Sequence, residues 1–384
     1  MLAKNKIINL ISTGFFLFIN FLFLLKYSSR YVDNFILLTF VFLLIQLIFL
    51  VLIEKFVPDD FTLTAKTKYY LLLVPLAVFY GLILSYAPQE TRVSRADAAT
   101  LWLTDLLNGV FPYGTEKNPS GFPVNFLIIY PFSLAGNTGL LQFFTMLSLF
   151  FLLIRYSKSL KELLFRGFLI LSSVPLYYEL VVKSEIFSNA FLFLLLMFII
   201  LRKVSDEKWS ASFFFSAILA GLLLSTRLVI FPMLLLFLLY KFRNSFPKIL
   251  SFGLIAVIAF LLTLLPFIIW NSERFFSAGP FAVQSIYLPP VLMGVIIILS
   301  AYSGWAAANK YELFFSTGLM LFISIILSFL ITVSDTGLYE SLFNDRFDIS
   351  YFNLCIPFFI AGIYEYKVDY FLGKIMPLGE EDQV

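Results

Sequence analysis

The residues with the clearest chemical potential lie in one long polar stretch, from Pro88 to Gly121, within a chain that is otherwise strongly apolar. The stretch contains Ser94-Arg95-Ala96-Asp97, in which an acid stands three residues after a serine. This spacing is that of a capping box, where the acid closes the first turn of a helix. An acid at a helix N-terminus is also kept ionised and in a fixed orientation, which a general base requires. Asp97 is therefore the candidate catalytic residue, and helix capping alone is the alternative.

Composition excludes several other kinds of site. The chain has no histidine, which rules out a Ser-His-Asp triad, a histidine-ligated zinc and a histidine proton shuttle. The single cysteine, Cys355, lies in an apolar run and is expected to be a packed thiol without a disulfide partner in the chain. The net charge is +3 and no basic tract is present, so a nucleic-acid partner is not expected.

Four basic residues are candidates for binding an anionic group such as a phosphate: Lys183, Arg227, Arg274 and Arg346. Arginine suits this role because its planar guanidinium can bind two oxygens at once. Arg227 stands out because apolar residues flank it in LLLSTRLVIFP, and a charge within a membrane helix costs about 3 kcal/mol on insertion scales. Either Arg227 has a functional partner, or it marks a hairpin tip and its side chain reaches the membrane surface.

The elements that must position these residues are membrane helices. Apolar residues make up 60% of the chain, charged residues 13%, and the mean hydropathy is +0.93, values that indicate an all-α, polytopic integral membrane protein. A helix needs roughly 20 apolar residues to cross the bilayer core, and this length predicts about twelve spans. They lie near 7–25, 35–53, 69–86, 139–154, 167–182, 186–201, 211–226, 228–240, 249–270, 286–304, 313–332 and 350–366.

The distribution of Lys and Arg predicts the orientation of these spans, because cytoplasmic loops collect positive charge. Treating 211–226 and 228–240 as two helices keeps the basic loops on one side, whereas a single helix would place one of them outside. Both termini are then cytoplasmic and the loop 88–121 faces outward. The expected location is the plasma (inner) membrane, with membrane lipid as a constant partner.

The outer loop has its own predicted helix. From Ser94 to Asn108, apolar and polar residues fall on opposite faces, which indicates an amphipathic helix on the membrane surface with Trp102 at headgroup level. Asn108-Gly109 is typical of a helix end, and Pro112 prevents its continuation. After a turn rich in Pro and Gly, the run VNFLIIYPFSLAG is expected to form a second surface-lying or re-entrant element.

These features together resemble the GT-C superfamily of membrane glycosyltransferases. The resemblance rests on an acid, Asp97, twelve residues before Gly109 in LLNGVFPYG, followed by NPSGFP and LIIYPFSLAG. The segments KSEIFSNAFLFLL, STRLVIFPMLLLFLL and DRFDISYFNLCIPF are similar in general form to later parts of such enzymes. The resemblance covers about 70–365 and predicts a single membrane domain, 1–384. That domain divides into an N-terminal hairpin (1–68) that could be accessory, a GT-C-like core (69–366) with its outer loop (87–122), and a cytoplasmic tail (367–384).

The resemblance implies a mannosyltransferase-like enzyme that moves a glycosyl group from a polyprenyl-phosphate sugar to a hydroxyl of a glycan or lipid-linked acceptor at the outer leaflet. Asp97 would be the general base, inversion at the anomeric carbon would follow from a base opposite the leaving group, and the four basic residues would bind the donor phosphate. The remaining acids and two aromatic residues would contact the acceptor or the sugar: Asp105, Trp102, Tyr113, Glu185 and Asp348.

Several alternatives stay open. Glu185 beside Lys183, and Asp348 beside Arg346, fit ordinary loop ion pairs equally well. A divalent cation, Mg²⁺ or Mn²⁺, could assist, although Ala and Thr follow Asp97 where many members of the superfamily have a second acid. A transporter or flippase of lipid-linked sugars is the second functional class. A polysaccharide polymerase or ligase is the third, and the short, net acidic loop 333–349 argues against it.

Overall fold

The computed structural model describes residues 2–57, 70–88, 95–115, 120–157, 159–205, 208–284 and 289–363. Throughout these ranges the regular elements are helices, as the apolar runs predict. They are α1 Leu2–Ser28, α2 Phe35–Phe56, α3 Leu73–Tyr86, α4 Arg95–Leu107, α5 Pro123–Leu134, α6 Leu140–Tyr156, α7 Leu160–Leu171, α8 Val174–Val182, α9 Ile186–Lys203, α10 Ala211–Leu224, α11 Ile230–Lys241, α12 Phe246–Ala278, α13 Pro280–Gln284, α14 Pro290–Ala306, α15 Lys310–Thr336, α16 Leu338–Leu342, a 3₁₀ turn Ile349–Leu354, and α17 Ile356–Gly362. The predicted capping residue Ser94, the turn at 116–119 and the tail 367–384 lie outside the described residues.

Five stretches are long and apolar enough to cross a membrane: Ile7–Ser28, Phe35–Phe56, Ile186–Lys203, Phe246–Gln284 and Lys310–Thr336. A bent pair formed by α7 and α8 would make a sixth. The other apolar helices among the described residues have 10–17 residues, which is shorter than the roughly 20 that a perpendicular span requires. The membrane character of the chain is clear from these lengths, while the count of twelve spans stays a prediction.

Several predicted boundaries are confirmed. The outer-loop helix α4, Arg95–Leu107, lies within the predicted range 94–108. Its end is marked by Gly109 with φ +70°, a left-handed conformation that glycine adopts without steric cost. The chain between 211 and 240 forms two helices, α10 and α11. The predicted end of the span 249–270 coincides with a kink, since Asn271 has φ −156° and ψ 86° inside α12.

One predicted span is wrong in its shape. The range 167–182 is divided between α7 and α8, which meet at an angle of 49°. Two polar side chains of the N-terminal hairpin satisfy the peptide groups that this break leaves open. Asn20 Oδ1 accepts a hydrogen bond from Val174 N at 2.9 Å, and Gln46 Nε2 donates to Ser172 O at 2.6 Å. Because an unsatisfied peptide group in an apolar layer costs several kcal/mol, the hairpin stabilises the break.

The end of α1 contacts the loop that follows α16. The Lys26 ammonium lies 2.8 Å from a carboxylate oxygen of Asp345, and the Arg30 guanidinium lies 3.0 Å from the other oxygen. Tyr27, on the same turn, stacks on Tyr178 of α8 with ring centroids 4.5 Å apart. The N-terminal hairpin is therefore packed against the same end of the bundle as the first loop and the 345–351 loop.

The helices α11 and α14 are in close contact at Gly304. A Cβ on Gly304 of α14 would lie 2.1 Å from the carbonyl oxygen of Leu236 in α11, so only glycine permits this contact. Toward the beginning of both helices, near Phe231 and Met293, a cavity lies between them.

Candidate functional site

Arg227 lies in the five-residue connection between α10 and α11 and is 2% exposed. Its Nη2 donates to a carboxylate oxygen of Glu185, and its Nη1 donates to Ser120 Oγ at 2.7 Å. Its Nε has no hydrogen-bond partner among the described residues. The interpretation that Arg227 extends to the membrane surface is wrong, because the guanidinium is buried and paired inside the protein.

Glu185 is held in turn by two asparagines. Asn125 Nδ2 lies 3.4 Å from Glu185 Oε1, and Asn189 Nδ2 donates to Asn125 Oδ1 at 2.8 Å. Both asparagines are 1% exposed. Because a buried charge is tolerated when it is paired and hydrogen-bonded, these contacts explain how an Arg–Glu pair is maintained within an apolar bundle.

Arg227 is one of the residues that line a cavity of about 290 Å³. It runs between α11, α14 and α15, and its walls are mainly aliphatic and aromatic. Among the described residues that line it, Arg227 is the one that carries a charge. Phe231 lines the cavity and is 40% exposed, so the cavity reaches the outer surface of the helical bundle. The arrangement suits a molecule with an anionic head and an apolar chain.

A second arginine, Arg95, connects the first-loop helix to the region beside this cavity. Its guanidinium pairs with Asp348 and donates to Ser350 Oγ at 3.2 Å. The guanidinium carbon lies 5.4 Å from the ring centre of Tyr351, and Tyr351 also lines the cavity. The beginning of α4 is therefore fixed next to the cavity.

Opposing effects set the pKa of Asp348. Burial raises the pKa of the carboxyl, but the Arg95 guanidinium and the hydrogen bonds from Ser350 outweigh burial, so the pKa lies below its ordinary value. Asp348 consequently stays ionised and paired at neutral pH. The expected loop ion pair with the adjacent Arg346 is wrong, since Asp348 pairs with Arg95 instead and Arg346 is exposed.

Asp97 lies in the first turn of α4, two residues after Arg95. Arg95 is on the same helical face as the buried Ala99, whereas Asp97 is on the polar face with Thr100 and is half-buried. The structure thus places Asp97 on a helix whose beginning is anchored at the cavity, without bringing its carboxylate into the Arg227 network.

The other predicted contacts are distributed around this centre. Lys183 is buried directly before Ser184 and Glu185 and has a left-handed backbone, φ 53°. Arg274 is exposed and donates to Gly114 O at 2.8 Å, so it binds the first loop. Glu185 is 6% exposed and its carboxylate pairs with Arg227. Asp105 of α4 is half-buried and is therefore the more accessible of these two predicted acceptor contacts.

The two predicted aromatic contacts are core residues. Trp102 is 1% exposed and stacks on Phe126 with centroids 4.4 Å apart. Its expected position at the lipid headgroups is wrong, because α4 packs its apolar face against α5 and α12. Tyr113 is fully buried and donates to Gly121 O at 3.3 Å. Neither ring presents an open face to a sugar.

A divalent cation needs several oxygen ligands placed close together. The described part of the chain contains no group of three or more His, Cys, Asp or Glu side chains that could hold a metal ion. Glu185 and Asp348 are instead each paired with an arginine. A role for Mg²⁺ or Mn²⁺ therefore finds no ligand set among these side chains.

Sequence reasoning missed the residues that complete the network. Asn125 stands alone in an apolar run, and Asn189 follows Ser188 at the start of another. These positions are the signal that could have identified them, because a polar amide in such a run needs a buried partner. Arg95 is the second residue of the capping pattern Ser94-Arg95-Ala96-Asp97, in which only Asp97 was predicted to be functional. Gln284 gave no signal, although its Nε2 donates to Ser120 O and its Oε1 accepts from Leu228 N.

The Arg95–Asp348 pair leads to a testable prediction. Arg95→Gln and Asp348→Asn should each reduce hydrogen-exchange protection of α4, and a double-mutant cycle should give a coupling of about 1 kcal/mol. Because the folded pKa of Asp348 is lowered, the stabilisation is complete at pH 7. It should decline below the unfolded value of about 3.9 and disappear below the folded pKa. Additive effects of the two substitutions at pH 7 would show that the pair does not anchor α4.

Comparison of the chain with models of known protein families, with curated proteins and with solved structures finds no match.

Proposed function

We propose that the protein is a membrane glycosyltransferase that takes a glycosyl group from a polyprenyl-phosphate sugar and transfers it to an acceptor hydroxyl at the outer leaflet. The observation that supports this proposal is the mainly apolar cavity in which Arg227 is the charged residue among the described lining residues. A polyprenyl phosphate has the matching division into an anionic head and a long apolar chain. The acceptor would be a glycan or a lipid-linked glycan.

The cavity size determines how such a donor would lie. A volume of about 290 Å³ is at the lower end of the range for ligand pockets and would hold only the isoprene units next to the phosphate. The remainder of the chain would leave past Phe231 and lie along lipid-facing surfaces of α11 and α14. The phosphate would meet Arg227, whose Nη1 donates to the neutral Ser120 hydroxyl in this structure.

The reaction needs a base and a stabilised leaving group. In the proposed step, Asp97 accepts the proton of the acceptor hydroxyl while its oxygen attacks the anomeric carbon. The bond from that carbon to the phosphate oxygen breaks with its electron pair on the phosphate, and the configuration inverts. Arg227 stabilises the charge that develops on the released polyprenyl phosphate. Asp97 must approach the sugar from the open side of α4, opposite to Arg95.

The direct test is transfer by purified protein. A polyprenyl monophosphate carrying a labelled hexose would be supplied with a set of glycan and lipid-linked acceptors. We expect glycosidic product and free polyprenyl phosphate in equal amounts, with inverted anomeric configuration by NMR. Absence of product with every acceptor, while the donor binds, would contradict the proposal. Movement of intact donor across vesicle membranes without cleavage would support a flippase of lipid-linked sugars instead.

A further inference from the structure

We propose that Ser120 occupies, on Arg227, the place that a donor phosphate oxygen takes, and that Glu185 is the positioning residue that keeps this place facing the cavity. This inference rests on the proposed function and specifies how the anionic head is bound. It divides the contacts of one guanidinium into a permanent one and an exchangeable one.

The contact with Glu185 has the properties of a permanent one. It joins two opposite charges whose side chains are 3% and 8% exposed. The carboxylate is further fixed by the chain of amides from Asn189 to Asn125 to Glu185. Because removing one member of a buried ion pair is strongly destabilising, an incoming anion would not displace Glu185. Arg227 Nη2 therefore stays bound to Glu185, and this contact fixes the orientation of the guanidinium.

The contact with Ser120 has the opposite properties. Its acceptor is a neutral hydroxyl, 2.7 Å from Nη1, on a half-buried residue of the first loop. A phosphate oxygen forms a stronger, charge-assisted hydrogen bond with the same nitrogen. The Ser120 backbone is held separately, since its carbonyl oxygen accepts from Gln284, which also lines the cavity. The hydroxyl can therefore turn away from Arg227 without movement of the loop.

Substitution of Ser120 and substitution of Glu185 are therefore expected to affect different quantities. Ser120→Ala removes a competitor and should tighten binding of an anionic lipid head. The gain should be about 2-fold to 10-fold, the range expected for one net hydrogen bond. Glu185→Gln keeps the shape but releases the guanidinium from its fixed orientation. Binding of the head should then stay within a few-fold of wild type, while sugar transfer falls at least about tenfold because the geometry at the leaving oxygen is lost.

The experiment measures both quantities with one probe. Decaprenyl monophosphate without a sugar would be titrated into purified wild type, Ser120→Ala and Glu185→Gln, with binding followed by native mass spectrometry. Transfer from the corresponding glycosylated donor would be measured in parallel. Glu162→Gln is the matched control, because it removes the carboxylate of another buried pair, Arg166–Glu162, away from this cavity. It should leave both quantities near wild type.

The outcomes separate this inference from the proposed function. The place-holder role is the one in which Ser120 occupies the position of a phosphate oxygen on Arg227. If Ser120→Ala still transfers sugar but binds decaprenyl monophosphate no more tightly than wild type, this role alone is overturned. Tighter binding by Ser120→Ala without transfer by any variant would support the place-holder role and contradict the enzyme assignment. A proportional loss of binding and transfer in Glu185→Gln, equal to that in Glu162→Gln, would assign Glu185 a structural role only. If Glu185→Gln does not fold, the Ser120→Ala titration still decides the place-holder role.

Discussion

Asp97→Asn protein is expected to insert into the membrane normally and to transfer sugar at least about a hundredfold more slowly than wild type. The substitution keeps the size of the side chain and its capacity to cap the first turn of α4, but it removes the ability to accept a proton from the acceptor hydroxyl. The measurement is the initial rate of labelled product formation at saturating donor and acceptor. Thermal unfolding of both proteins in detergent would confirm that the fold is retained.

A matched control and a rival residue make this prediction specific. Asp335 is an exposed carboxylate at the end of α15, and Asp335→Asn should transfer at the wild-type rate. Asp348 is the rival, because it lies beside the cavity-lining Tyr351. Its carboxylate is already occupied by Arg95 and Ser350, which makes it a poor base. Full activity of Asp97→Asn would leave Asp97 as a helix cap, and loss of activity only in Asp348→Asn would move the base to Asp348.

Much of the local structure was predictable because it depends on neighbouring residues. The apolar runs gave the helices, and the alternation of faces after Ser94 gave α4 to within a residue at each end. Gly109 ended that helix because a left-handed residue is needed there. Asn271, the first polar residue after the long run 249–270, marks the kink in α12 because its side chain accepts from Arg274 N at 3.0 Å.

The candidate site was less predictable because its contacts join distant parts of the chain. Arg227 was identified as anomalous, but its partner, Glu185, is 42 residues away. The partner of Asp348 is 253 residues away, and the adjacent Arg346 was the more obvious choice. Sequence distance carries no information about such pairs. Trp102 illustrates a different limit, since an amphipathic helix can bury its apolar face in lipid or in protein, and the pattern is the same in both cases.

The break between α7 and α8 shows why the predicted span 167–182 failed. Hydropathy is averaged over a segment, so Ser172-Ser173 and Pro175 within the largely apolar range 167–182 do not end the predicted span. Pro175 stands at the start of α8, where a missing N–H is tolerated. The break is stable because Asn20 and Gln46 satisfy its peptide groups, and those residues belong to a hairpin more than a hundred residues earlier. The open peptide groups lie at the break between α7 and α8, whereas the side chains that satisfy them lie on α1 and α2.

Replacement of Arg227 is expected to have the second large effect, and it should act on the donor. Arg227→Ala removes the charged residue that lines the cavity, and loss of one preorganised donor to a developing anion costs about 10²-fold to 10³-fold in rate. The apparent KM for the polyprenyl-phosphate sugar should also rise, while that for the acceptor should change little. Initial rates measured over a matrix of donor and acceptor concentrations separate these effects.

The unpaired Glu185 that Arg227→Ala leaves behind requires a second variant. A buried carboxylate without its partner destabilises the fold by about 3–5 kcal/mol, so a loss of activity in Arg227→Ala could reflect unfolding. The double substitution Arg227→Met/Glu185→Gln removes both charges at similar volume and should restore the unfolding temperature toward wild type. If Arg227 binds the donor phosphate, the double variant remains as inactive as Arg227→Ala although it is folded. Recovery of transfer in the double variant, or equal effects on donor and acceptor KM, would show that the Arg227–Glu185 pair only holds the helices together.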